Sequence, residues 1–162
     1  GIDVLLEAYQ AYRGAVERPW TLTCVGTGPQ ANRLQGLPGV EDRGFVQPDA
    51  LPAIMARAGA FVLPSRHEPW GVVVQEAAAA GLPLICSEAC GAAVHLLQDR
   101  YNGFLVETDQ ANHLATAMTQ MAALDPERRQ AMGARSHALS KPFTPTRWAA
   151  TLIEGVQQMH SG

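Results

Sequence analysis

Charge is scarce in this chain. Asp, Glu, Lys and Arg together make up 17% of its 162 residues, and the net charge is −3. Nothing in that balance attracts a polyanion, which excludes nucleic acid and an anionic membrane surface as electrostatic partners of these residues. Long apolar runs are missing too, so no segment is built to span a bilayer. Cysteine is limited to Cys24, Cys86 and Cys90, an odd number without the spacing of a disulfide framework, which points to reduced thiols and a cytoplasmic setting. The opening GIDVLLEAYQAY lacks the basic start and the small-residue cleavage site of a signal peptide. It reads as a helix entered partway through a fold, and hence as part of a longer protein. No internal repeat, low-complexity tract or long linker divides the chain, so residues 1–162 are expected to form a single domain.

What is present is a regular alternation. Ile2 to Glu17 carries Val4, Leu5, Ala8, Tyr9 and Tyr12 at helical spacing. WTLTCVG (20–26), RGFV (43–46), AFVLP (60–64), LPLICS (82–87) and GFLV (103–106) read as short buried strands. PQANRLQGL (29–37), PDALPAIMARAG (48–59), GVVVQEAAAAG (71–81) and GAAVHLLQD (91–99) read as the helices between them. Three further helices are expected over 109–124, 126–139 and 145–159, packed around the sheet's edge. Such alternation predicts an α/β fold, a Rossmann-like three-layer sandwich with a parallel sheet between helices. Sheets of this kind bind ligands at the carboxyl ends of their strands. That rule singles out the loops GTGP (26–29), QPD (47–49), SRHEPWG (65–71), SEACG (87–91) and ETD (107–109).

The fourth helix and its loop, HEPWGVVVQEAAAAGLP, carry two carboxylates, Glu68 and Glu76, in an otherwise apolar stretch. In one continuous helix they would stand roughly 80° and 12 Å apart, which is poor geometry for direct cooperation. Pro69 biases Glu68 away from helix, and Gly71 permits a sharp turn, so the helix is expected to start near Trp70 or Gly71. Glu68 then lies in the loop and Glu76 on the second turn. Between them the first turn offers free N–H groups and a positive dipole end, a ready anion site. A single ligand with phosphates at that helix start would reach both glutamates. Burying Glu76 among valines and alanines would be costly without donors; a structural salt bridge or a solvated position is the alternative.

At this point the residues resemble a known family. LPSRHEPWGVVVQEAAAAGLPLICS is similar to the signature of the retaining GT-B glycosyltransferases of group 1, also called family 4, with its two glutamates eight apart after Pro-Ser and its Gly-Leu-Pro after the helix. GIDVLLEAY, VGTGP, RGFVQPDALPAIMARAGAFVLPS and NGFLV resemble further segments of the family's C-terminal domain, so nearly the whole chain is covered. The resemblance implies the donor-binding half of a GT-B fold, acting on a nucleotide diphosphate sugar. It assigns Glu76 to the ribose hydroxyls and Glu68 to the donor sugar, as the catalytic-site carboxylate rather than a general base. It assigns main-chain donation to Pro69, Trp70, Gly71 and Val72, and contact with the base to Phe45 and Val46. Gly26 and Gly28 would border the diphosphate. No metal or other cofactor is expected, because cations and helix N-termini neutralise the leaving diphosphate. The acceptor is left open among a sugar, a lipid-linked glycan and a small molecule, and membrane contact is expected only peripherally, through an N-terminal domain. Glycan or polysaccharide assembly is the expected setting.

Departures from the pattern mark what the resemblance leaves open. The family's first strand, its basic pair and its acceptor domain match nothing after Gly1, so this chain alone is expected to be inactive. Cys90-Gly91-Ala92 stands where many members have Gly-Gly, His95 where an acid is common, and His67 where an aromatic or small residue is common. Two other classes remain as alternatives: a non-catalytic nucleotide-sugar-binding module, and an epimerase- or phosphorylase-like GT-B enzyme. A dinucleotide reading of Gly26-x-Gly28-x-x-Ala31 needs an acid ending the next strand, whereas Glu41 and Asp42 are expected before RGFV. Cys86, Cys90 and His95 fall short of a zinc set. His113, His137 and His160 are expected to face solvent, Glu127, Arg128, Arg129 and Arg135 to form a solvated helix face, and Trp148 to pack.

Overall fold

The computed structural model describes residues 1–160, including every side chain of the last helix except Pro145, Trp148, Gly155 and His160. The expectations for Trp148 and His160 therefore lie outside the described residues. In chain order the elements are α1 (Ile2–Ala15), β1 (Leu22–Cys24), a 3-10 turn (Ala31–Leu34), β2 (Val40–Asp42), a second 3-10 turn (Pro48–Ala50), α2 (Leu51–Met55), β3 (Phe61–Leu63), α3 (Val72–Ala79), β4 (Leu84–Ser87), α4 (Ala93–Leu96), β5 (Gly103–Val106), α5 (Ala111–Ala123), α6 (Pro126–Ser140) and α7 (Pro145–His160).

Every strand pairing is parallel, as expected of βαβ units, but the expected sheet comes in two pieces. β1 pairs with β2, while β3, β4 and β5 form a three-stranded sheet in that order. No strand pairing joins the two pieces among the described residues.

β4 is buried along its whole length, and its alternating side chains feed two cores. Ile85 points into a cluster with Val4, Leu5, Tyr9, Leu114 and Met118 on α1 and α5. Leu84 and Cys86 point the other way, into Val74, Ala77, Ala78, Ala93 and Leu96 on α3 and α4. Three layers result. The last helices do not gather at the sheet's edge as expected: α5 packs on α1, and α6 packs against α3 and α4 on the opposite face. Tyr9 ties the β1–β2 unit to α1, its hydroxyl lying 2.8 Å from Trp20 O and 2.7 Å from Gly39 O with one proton to share between them.

Several boundaries differ from expectation. Residues 29–37 and 48–59 give only short helical turns, because Pro29, Gly36 and Pro52 interrupt them. RGFV is not a strand. The strand is Val40-Glu41-Asp42, and Gly44 in the left-handed region (φ 58°) turns the chain before Phe45.

Candidate functional site

The loop after β3 and the loop after β4 are stitched together. Glu68 N donates to Ala89 O (3.2 Å), Gly91 N to Glu68 O (2.9 Å) and Ala92 N to Trp70 O (2.7 Å). Ser87 Oγ, fully buried, donates to Ser65 O at 2.6 Å. The β3–β4 pairing thus continues past the strand ends, with Glu68 bridging in parallel to Cys90. Gly71 ends the loop in the left-handed region (φ 91°, ψ 68°) and caps α3. A Cβ there would lie 3.0 Å from Cys90 Sγ and 3.1 Å from Glu68 Cγ, so glycine suits both the turn and the close approach.

α3 starts at Val72, with Gly71 as its cap, one residue beyond the expected start near Trp70 or Gly71. Its first backbone hydrogen bond is Val74 N to Gly71 O at 2.9 Å. The amides of Gly71, Val72 and Val73 have no acceptor among the described residues, and the helix dipole adds positive potential there. Glu68 lies half-buried on one side of this turn, and Glu76 stands one turn further along α3. Neither carboxylate has a hydrogen bond or ion pair with any described residue. Of the positions left open for Glu76, the structure takes the solvated one: Val74, Ala77 and Ala78 turn inward, and Glu76 projects to solvent. Trp70 is half-buried, its ring 5.7 Å from His95 and 5.8 Å from Phe143.

Gly26, Gly28, Phe45 and Val46 belong to a second group, at the carboxyl ends of β1 and β2. Gly26 N donates to Gly44 O at 2.7 Å, and Arg43 N to Cys24 O at 2.9 Å, which sets the glycine turn beside the Gly44–Val46 loop. Phe45 is 67% exposed. Asp42 ends β2 opposite Cys24, contrary to the expectation that the acids precede the strand. The dinucleotide reading fails for another reason: only a four-residue 3-10 turn follows Gly28, so no α-helix presents its N-terminus to a pyrophosphate.

Sequence reasoning missed one cluster. Arg66, the cation of SRHEPWG, donates to both carboxylate oxygens of Asp3 (2.8 and 2.6 Å) and to Asp109 Oδ1 at 2.9 Å. Its partners lie 63 and 43 residues away, and no local pattern signals them. Asp109 adopts φ 64° to reach it. Arg66 is therefore a brace between α1 and the loop before α5, not a free cation. Its hydrogen bonds hold the Asp3 carboxyl well below the usual carboxylate range. A depressed carboxyl adds stability above its unfolded pKa, and that stability is lost as pH falls toward the folded one. Thermal unfolding of Arg66→Ala should therefore depend less steeply on pH below about 4 than that of the wild type. Equal slopes would show that the brace is not formed in solution.

Burial, as the main cause, pushes the thiols of Cys24, Cys86 and Cys90 upward, with Glu68 adding to the effect at Cys90. The described residues contain no group of three His, Cys, Asp or Glu side chains placed to hold a metal ion. No described helix is long and apolar enough to cross a membrane. His113 and His137 are exposed, with His137 Nδ1 2.8 Å from Ala79 O. Arg128 and Arg135 are exposed as expected, but Arg129 is half-buried, its guanidinium 5.1 Å over the Trp20 ring.

This arrangement has counterparts. The chain is 34% identical over 148 residues to a GDP-mannose-dependent alpha-(1-6)-phosphatidylinositol monomannoside mannosyltransferase of Mycobacterium tuberculosis, covering 83% of this chain and 38% of that protein. It superposes on sucrose-phosphate synthase of Thermosynechococcus elongatus with a TM-score of 0.81 and 26% identity, over 96% of this chain and 42% of that one. It shares the fold of Anabaena HepE, solved with UDP and glucose, at a TM-score of 0.80 and 24% identity, over 98% of this chain and 45% of that one. The chain thus spans less than half the length of each of these relatives. The family model described as "Glycosyl transferases group 1" matches residues 1–123. With three quarters of its length matched, the chain belongs to the group 1 glycosyltransferases, and its fold is the Rossmann-like half of a GT-B enzyme.

Proposed function

We propose that residues 68–76, with the loop 88–92 behind them, form the donor site of a retaining glycosyltransferase that uses a nucleoside diphosphate sugar. One observation carries this reading: two carboxylates without partners flank a helix start whose first amides are unsatisfied. The amides of Gly71, Val72 and Val73 donate to the distal phosphate, where charge builds as the glycosyl bond breaks. Glu76 accepts hydrogen bonds from ribose hydroxyls, which explains an exposed acid on an apolar helix. Glu68 does the same for the donor sugar, and Phe45 and Val46 pack on the base. The relatives support this: HepE was solved with UDP, and the mycobacterial enzyme uses GDP-mannose. The acceptor lies outside this site, and no metal is needed. The product is a glycan or glycoconjugate.

Calorimetry with UDP, GDP, ADP and NAD tests the reading. One nucleoside diphosphate should bind, and Glu76→Ala should weaken it about 10- to 100-fold, the range for lost hydrogen bonds to a charged group. The melting temperature should stay unchanged, since Glu76 supports no described contact. Equal affinity in the variant, or binding of NAD alone, would contradict the assignment.

A further inference from the structure

A separate cavity of about 530 Å³ opens between α5, α6 and the turn before β5, and it shares no residue with the loops of the proposed donor site. Its floor is apolar, with Phe104, Leu124 and Met132, and Arg100, Arg128 and Arg135 line it as well. No acidic residue does.

Each of the arginines is held by a neighbour. Arg135 donates from Nη1 to Tyr101 O at 2.8 Å, with its guanidinium 4.5 Å over the Tyr101 ring. Arg100 and Arg128 pair with Asp99 and Asp125, with Nε at 3.5 and 3.4 Å from a carboxylate oxygen. Exposed ion pairs of this length contribute little, and neither side chain donates a hydrogen bond to a described residue. Arg100 also sits at φ 59°, a conformation that glycine takes freely and other residues take at a cost. A charged side chain is thus kept at the cavity where a glycine would fit the backbone better, and strain of this kind points toward function.

We propose that this cavity binds a soluble phosphate ester with an apolar or aromatic body, the phosphate between the three arginines and the body on Phe104, Leu124 and Met132. Guanidinium groups pair with phosphate through paired N–H donors. The volume suits a small molecule, and a concave site on a chain of net charge −3 does not suit a flat anionic membrane. The proposal does not depend on the donor-site reading.

The test is a titration of the chain with 1-naphthyl phosphate, followed by calorimetry and by NMR of Phe104 and Met132. Binding should shift both signals, and 1-naphthol and inorganic phosphate should each bind at least ~10-fold more weakly. Arg100→Gly should raise the melting temperature yet weaken binding by about 10-fold, and Arg128→Ala should weaken it similarly without a change in melting temperature. Unchanged affinity in both variants would overturn the proposal, as would shifts confined to residues 71–76. Naphthol binding as tightly as its phosphate would reduce the site to an apolar dent. Capture by phosphatidate vesicles without binding of the soluble ester would make it a membrane contact instead.

Discussion

Gly103→Ala should unfold much of this chain. Gly103 opens β5 and pairs with Leu84 of β4. A Cβ on it would lie 1.8 Å from Leu84 O and 2.7 Å from Leu84 C, both backbone atoms. β4 is the strand buried on every residue, so it has nowhere to retreat. Relief requires parting β5 from β4, and with it the packing of Phe104 and Val106 on α1 and α5. The expected cost is about 4 kcal/mol or more, at the exceptional end for one substitution. Urea denaturation measures it, with Leu105→Ala, a truncation at a 44% exposed neighbour, as a nearly neutral control. A variant as stable as the wild type would show that β5 does not pair in this register.

Gly91→Ala should act on the site more than on the fold. Its Cβ would fall 2.1 Å from Pro69 O and 2.9 Å from Pro69 C. The 65–71 loop is more exposed than β4, so it has room to yield, and the expected stability loss is about 2 kcal/mol, within the usual overpacking range. In yielding, it carries Glu68 and Gly71 away from the start of α3. Misplacement of about 1 Å costs roughly 100-fold where geometry decides the interaction, so nucleotide affinity should fall by at least ~100-fold. Gly14→Ala on α1 is the matched control, since a Cβ there meets nothing within 4 Å. If Gly91→Ala binds as the wild type does, the stitched loops are not the site.

Much of this was legible in the sequence where punctuation was strong. GFLV is β5 end to end, because Gly103 fits only against β4 and its apolar residues alternate. α3 begins after Gly71 and ends before Gly81, whose left-handed φ of 77° closes the helix. The failures also have physical causes. Phe45 and Val46 drew the second strand downstream of Val40–Asp42, because β2 is an edge strand that tolerates acids. The apolar neighbours of Glu76 left its burial open, because on a helix burial follows the face, and its face is solvent. Arg66 and its two aspartates meet only in the fold, so no reading of nearby residues would find them.

The most direct test of the central claim is amide NMR of the chain as a nucleoside diphosphate is added. The account predicts that the Gly71, Val72 and Val73 amides move first and furthest downfield, as donors that gain an anionic acceptor, with Glu76 moving alongside them. Shifts confined to Gly26–Ala31, with residues 71–76 unmoved, would contradict it and would place the phosphates on the glycine turn after β1.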